Sequence, residues 1–222
     1  MTHVHVHGGG PPPAVQEAAT PSWRLLMTLG VAGALSGLLV AVVYELTLEP
    51  VQRHRAAVLQ EAISEVLHEP ARLDTLYMEG GKLVLRPTGS SAELPRVFQG
   101  YDANGRKIGV AIMAGEPGFT EIVSLIIGLD PASGHLLGMK VLDQKETPGL
   151  GDKIVKDTSF VSQFARVIAP LKGVKNVTGN DPAEVDMISG ATISSRAVIR
   201  IINNAVARWR PLLLAYQQGT TP

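Results

Sequence analysis

Asp186-Met187-Ile188-Ser189-Gly190-Ala191-Thr192-Ile193-Ser194-Ser195 runs straight into Val198, Ile201, Ile202, Ala205, Val206 and Trp209, apolar positions three and four residues apart. That spacing is one stripe of an amphipathic helix. A stripe of this kind is buried against another layer, so the chain before it has to supply a sheet. Ser194 or Ser195 is the expected N-cap, and Pro211 is expected to kink or end the helix. Small and hydroxylated residues in front of a helix leave backbone N–H groups unpartnered beside the positive end of the helix dipole, which suits a phosphate. A hydroxyl cap with a glycine turn is equally ordinary structural chemistry, and taken alone the stretch allows both.

Working outward, the sheet is legible upstream. Lys82 to Arg86 alternates as a short strand. Val97 to Tyr101 and Lys107 to Ala114 flank Asp102-Ala103-Asn104-Gly105, whose Asn-Gly supplies a hairpin turn. Ile122 to Leu129 and His135 to Leu142 flank a second turn, Asp130-Pro131-Ala132-Ser133-Gly134. Four strands in two meanders make an antiparallel sheet. Ile122 to Gly128 is too uniformly apolar for a solvated face, so it is expected to be central and covered by helices. The loop Gln144 to Lys153 then leaves the sheet. Its Gly149 and Gly151 permit positive φ or a close backbone approach to a flat ligand, and equally serve a plain strand-to-helix connection. A short helix is expected around Ser159 to Val167, a turn at Asn180-Asp181-Pro182, and Val185 to Ile188 leads back to the opening stretch.

The N-terminal side sets the class. Leu25 to Tyr44 holds no charged residue and only Thr28 and Ser36 as hydroxyls, enough helix to cross a ~30 Å hydrocarbon core. The run is longer than the apolar core of a secretory signal, and no small-residue cleavage site precedes Glu45 to Pro50. It lacks the polar face of a buried core helix. Gly33 and Gly37 permit close packing against other membrane helices. A helix with Val58, Leu59, Ala62, Ile63, Val66 and Leu67 on one face follows. Arg24 before the span against Arg53 and Arg55 after it leans toward a cytoplasmic C-terminal domain. The expected organisation is a disordered tail over 1–22, a transmembrane helix over 23–48, one domain over 49–217 and a disordered end over 218–222. In the tail, Gly8 to Pro13 exclude regular structure, and the alternating His3, His5 and His7 lack the fixed surroundings a metal site needs. The fold class expected is α+β: one N-terminal transmembrane helix, then a single domain with an antiparallel sheet packed by helices.

Composition narrows the chemistry. Twenty basic and twenty acidic side chains cancel, which removes the charge argument for a nucleic-acid partner. With no cysteine there is no disulfide, iron–sulfur ligation, c-type haem attachment or thiol catalysis. Redox chemistry therefore needs a non-thiolate cofactor. No phosphate-binding Gly-x4-Gly-Lys loop, dinucleotide fingerprint or Gly-x-Ser-x-Gly elbow occurs. His54, His68 and His135 are isolated, and Glu146 with Asp152 has no sugar or acyl site around it. No catalytic or metal-binding residue is assigned, and no complete active site is visible on this chain alone.

Two motifs together carry a resemblance. Glu146-Thr147-Pro148-Gly149-Leu150-Gly151-Asp152-Lys153, with Asp186-x-x-Ser189-Gly190-Ala191-Thr192-x-Ser194-Ser195, resembles the FMN-binding domain shared by the G subunit of the Rnf electron transport complex and the C subunit of the sodium-pumping NADH:quinone oxidoreductase. The chain is more similar to the Rnf subunit, and the single span matches that layout. Gln144 stands where that subunit often has histidine.

The resemblance implies FMN joined to Thr192 by a phosphoester bond. A flavin transferase using FAD installs it and reads Asp186, Ser189, Gly190, Ala191 and Thr192. Ser189, Gly190, Ala191, Ser194 and Ser195 would surround the phosphate. Glu146, Thr147, Pro148, Gly149, Leu150 and Lys153 would lie along the ring, with Leu150 as an apolar face contact. It implies an electron-transfer subunit of an ion-translocating ferredoxin:NAD oxidoreductase, partnered by the other membrane subunits of that complex and by the lipid bilayer. It places the domain on the extracytoplasmic side of the cell's inner membrane, against the arginine count. The alternative is a membrane-anchored FMN-domain sensor or assembly protein without a relay role.

Overall fold

The computed structural model describes residues 22–91, 94–177 and 179–219. The tail with its three histidines and the last three residues lie outside them. Contacts divide the chain into two compact units, between Arg53 and His54.

Helix α1 covers Ser22–Val66, with Pro50 inside it. Within the first unit its apolar side chains are exposed all round, Leu26 by 70% and Leu29 by 72%. Among the described residues this is the one helix long and apolar enough to cross a membrane. An apolar surface without a polar face is stable only in an apolar surrounding.

The second unit is built on six antiparallel strands: β1 Arg72–Glu79, β2 Lys82–Val84, β3 Arg96–Tyr101, β4 Lys107–Pro117, β5 Ile122–Leu129 and β6 Leu136–Asp143. Their order is β2-β1-β3-β4-β5-β6. Short helices α2 Lys153–Lys156 and α3 Thr158–Gln163 follow, then the parallel pair β7 Lys172–Val174 and β8 Glu184–Asp186, then α4 Thr192–Gln217. The two expected hairpins are present, β3–β4 and β5–β6. Strand β1 is not legible from alternation because Arg72 and Asp74 stand in it and only Leu76 is fully buried. The β7–β8 pair is too short to show a period.

β5 is paired on both sides, one strand from the sheet edge, and buried on both faces. On one face Val123, Leu125, Ile127 and Leu129, with Val110 and Ile112 of β4, pack in the cluster that holds Val198, Ile201, Ile202, Val206 and Trp209 of α4. On the other, Ile126 and Ala111 pack with Ala62, Ile63 and Val66 from the end of α1 and with Leu67 just beyond it. Burying each of these larger side chains contributes roughly 1.5–3 kcal/mol, so the two helix faces, and not strand propensity, hold β5 in place.

One expectation about α4, its N-cap, is corrected, and for Pro211 the possibility that it ends the helix is removed. The helix runs through Pro211 to Gln217. Proline only removes one amide bond, while Leu213 beyond it is buried at 1% and Arg210 donates to the carbonyls of Pro131 (2.8 Å) and Ala132 (3.0 Å). The N-cap is Ala191, not Ser194 or Ser195, and it has no side-chain capping bond. The expected helix at Ser159 to Val167 begins at Thr158 and stops at Gln163. Its start is set by Asp157, which accepts from the N–H groups of Ser159 (3.0 Å) and Phe160 (3.2 Å).

Candidate functional site

The apolar stripe of α4 fixes where its first turn stands. Because the cap residue is alanine, the N–H groups of Thr192, Ile193 and Ser194 have no acceptor among the described residues. Gly190, at φ +83°, turns the chain just before them, and a side chain there would meet nothing within 4 Å. Three free N–H groups at the positive end of a 26-residue helix are a cradle for a phosphate.

Thr192 is half-buried and lines two clefts. The first, about 290 Å³, is walled by Phe119, Glu146, Thr147, Leu150, Gly151, Ala191, Ile193 and Ser194. The second, about 690 Å³, is polar; Lys153, Lys156, Lys175, Asn176, Asp186 and Ser189 line it. A hydroxyl between an apolar slot and a lysine-bearing one can carry a group with an apolar ring and an anionic link.

The predicted residues thus divide. Thr147, Leu150, Ala191 and Ser194 stand in the apolar cleft with Glu146, Ser189 and Lys153 stand in the polar one, and Gly190 belongs to both. Pro148, Gly149 and Ser195 line neither. Ser195 is fully buried, donating to the Ala191 carbonyl (3.0 Å) and accepting from the Ile188 N–H (3.2 Å), so its hydroxyl is spent on the turn. Ser194 is also buried, and its hydroxyl donates to Glu146 Oε2 at 2.6 Å. Both hydroxyls expected as phosphate donors are thus engaged within the protein, whereas the backbone N–H groups of the first turn are unpartnered among the described residues. Asp186 accepts from the Asn176 N–H (3.1 Å), while its own N–H and carbonyl bond the Gln163 amide.

The pairing of Glu146 with Asp152 as acid and base is not seen. Asp152 is bound to Lys156 at 2.6 Å, whereas Glu146 accepts from Ser194 and, through Oε1, from the N–H groups of Phe119 (2.9 Å) and Thr120 (3.0 Å). Glu146 thus ties the β4–β5 turn to the first turn of α4. Phe119, 64% exposed at that turn, is the site residue that sequence reasoning missed. The signal was present in Pro117-Gly118-Phe119-Thr120, a large aromatic at a turn tip, where nothing structural requires one.

Burial pushes the Glu146 carboxyl up, but the Ser194 hydroxyl and the Thr120 and Phe119 N–H groups outweigh it and hold the group below its ordinary value of 4.5. A depressed carboxyl contributes stability that is fully present above the unfolded value and is lost as pH falls through the folded one. Thermal melts of the full chain should therefore lose stability as pH drops below 4.5, and Glu146→Gln should flatten part of that acid limb. An unchanged limb in the variant counts against the assignment.

Comparison with known proteins agrees with this geometry. A family model described as FMN-binding domain matches residues 118–207, from the β4–β5 turn into α4. The G subunit of the ion-translocating oxidoreductase complex of Vibrio vulnificus is 31% identical over 191 residues, 81% of this chain and 85% of that protein. The G subunit of the corresponding complex of Methanosarcina acetivorans is 28% identical, over 82% and 92%. The crystal structure of Shewanella oneidensis NqrC superposes with a TM-score of 0.59 at 19% identity, covering 74% of this chain and 99% of that one, and shares the fold. Fold and cleft define the class: an α+β FMN-binding domain on a chain whose described residues include one long apolar helix. Within that class, the chain belongs to the family of the G subunits of ion-translocating oxidoreductase complexes, the Rnf family, as its two motifs led one to expect.

Proposed function

We propose that this chain relays electrons through an FMN attached by a phosphoester bond to Thr192. Membership in the G-subunit family makes it an FMN-binding, electron-transfer subunit of a membrane-bound ion-translocating oxidoreductase complex. The observation that carries the covalent attachment is the position of Thr192: a half-buried hydroxyl between an apolar and a lysine-lined cleft, beside three unpartnered N–H groups. The phosphate belongs at those N–H groups. The isoalloxazine belongs in the cleft of Phe119, Leu150 and Ile193, whose volume sits at the low end of ligand pockets, ~300–1,000 Å³, so that part of the ring stays exposed to a redox partner. FMN supplies the electron-accepting ring, and the protein supplies position and electrostatics.

In this reading a flavin transferase modifies Thr192, contacting Asp186, Ser189, Gly190 and Ala191. Ser189 and Gly190 are exposed for such a contact. Residues 23–48 cross the bilayer, the domain of 49–217 lies on the extracytoplasmic side, and the other membrane subunits of the complex are its partners. Intact mass of the full chain made with a flavin transferase tests the proposal: a gain of one FMN less water supports it. A chain that stays unmodified would return the field to the alternative of a membrane-anchored sensor or assembly protein.

A further inference from the structure

We infer that Glu146 is a redox-tuning residue, a fixed negative charge that lowers the reduction potential of the flavin held at Thr192. This rests on the cofactor placement proposed above and goes beyond it.

Glu146 is the single charged side chain among those lining the apolar cleft, and it is 5% exposed. Among the described residues, none of the ion pairs involves it. The nearby Lys156 is taken by Asp152, and Lys145 by Glu121 at 2.9 Å. Only dipoles hold the carboxylate: the Ser194 hydroxyl in the first turn of α4 and the N–H groups of Phe119 and Thr120. The pocket is closed around it. A Cβ at Gly118 would stand 2.5 Å from Oε1, and one at Gly151 would stand 2.6 Å from Oε2 and 2.8 Å from the Ser194 hydroxyl. The two glycines admit the carboxylate and leave no room for a counter-ion on those sides.

A carboxylate that cannot move or pair keeps its charge in a poorly screened place, where charge–charge terms are larger than in water. A flavin ring that takes up two electrons and one proton becomes an anion; with two electrons and two protons it stays neutral. Facing a fixed negative charge, the ring is harder to reduce and favours uptake of the second proton. Glu146 therefore does two separable things. It ties the β4–β5 turn to α4, as any good acceptor could, and it biases the ring, which only its charge does.

Anaerobic spectroelectrochemical titration of the flavin-loaded full chain in detergent separates them, with a chemical reductant as electron source. For Glu146→Gln, which keeps an acceptor and removes the charge, the ratio of reduced to oxidised flavin at the wild-type midpoint is expected to rise about tenfold, an upward shift of about 30 mV for two electrons. Ser194→Ala keeps the charge and removes its strongest donor, so its midpoint is expected to fall, and it carries the test should Glu146→Gln fail to fold. An unchanged midpoint in Glu146→Gln, or a midpoint in Ser194→Ala that stays or rises, overturns the inference while leaving the attachment intact. A wild-type chain without flavin on Thr192 instead overturns the cofactor placement, and this inference with it.

Discussion

Thr192→Ala is expected to yield a chain that folds as well as the wild type and carries no covalent flavin at all. The loss should be complete, because the phosphoester needs the one hydroxyl that reaches both clefts. Ser194 and Ser195, two and three residues on, are buried and engaged with Glu146 and with the Ala191 carbonyl, so neither can substitute. Ser189 is exposed but lines only the polar cleft. The fold has little reason to notice: the Thr192 hydroxyl makes no hydrogen bond to the described residues, and alanine is a better helix former at the start of α4 by a few tenths of a kcal/mol. Intact mass and in-gel flavin fluorescence give the first result, and thermal melting of apo protein gives the second. Retention of the flavin mass in Thr192→Ala would move the attachment elsewhere. A large drop in melting temperature would mean that Thr192 is structural. Thr192→Ser refines the test, since it keeps a hydroxyl and asks whether the transferase needs the methyl group.

Some of this site was readable in the chain and some was not, for physical reasons. The stripe from Val198 to Trp209 dictates α4, and α4 dictates where Thr192 stands, so local periodicity located the residue, while its proposed role as the attachment point came from the family resemblance of the two motifs. The Glu146 to Lys153 loop was recognisable by its residues, but its geometry was not. Nothing local says that Glu146 turns inward to Ser194, forty-eight positions later, while Pro148 and Gly149 stay outside both clefts. Phe119 enters the site only because Glu146 captures the N–H groups of its turn, a contact across twenty-seven positions. Hydroxyl-rich sequence before a helix invited a serine cap. The structure spends Ser194 on a tertiary contact with Glu146 and Ser195 on its own turn, and the uncapped N–H groups that result are what the proposed phosphate uses. Strand β1 escaped because the charged Arg72 and Asp74 share the face of buried Leu76 and break its apolar period, whereas β5, apolar on both faces, could be recognised but not placed in the sheet order.

Gly128→Ala is expected to cost about 3 kcal/mol or more, at the upper end of what overpacking a core does, and to loosen the end of α1 from the sheet. Gly128 pairs with Ala111 on one side and with Gly138 on the other, a row of small residues across three strands. The last turn of α1 settles into that trough. A Cβ at 128 would collide with the Val66 carbonyl oxygen, stand 3.0 Å from the Val66 carbonyl carbon and press on Leu137 Cβ at 3.1 Å. These are backbone atoms and a strand-bound Cβ, which cannot rotate away. Val66 and Leu67, at 1% and 0% exposure, seal that face of the sheet, so displacing them also opens the cluster around Ile126 and Ala111. Gly138→Ala is the matched control: its Cβ would lie 3.6 Å from Val66 Cα, an ordinary contact, and its cost should stay below about 1 kcal/mol. Urea unfolding of both variants, with amide exchange across residues 59–67 to report on the helix, decides the matter. Equal midpoints for the two variants would show that the trough is not what seats the helix, whereas selective loss of protection in Gly128→Ala would show that a single missing side chain sets how closely α1 meets the sheet.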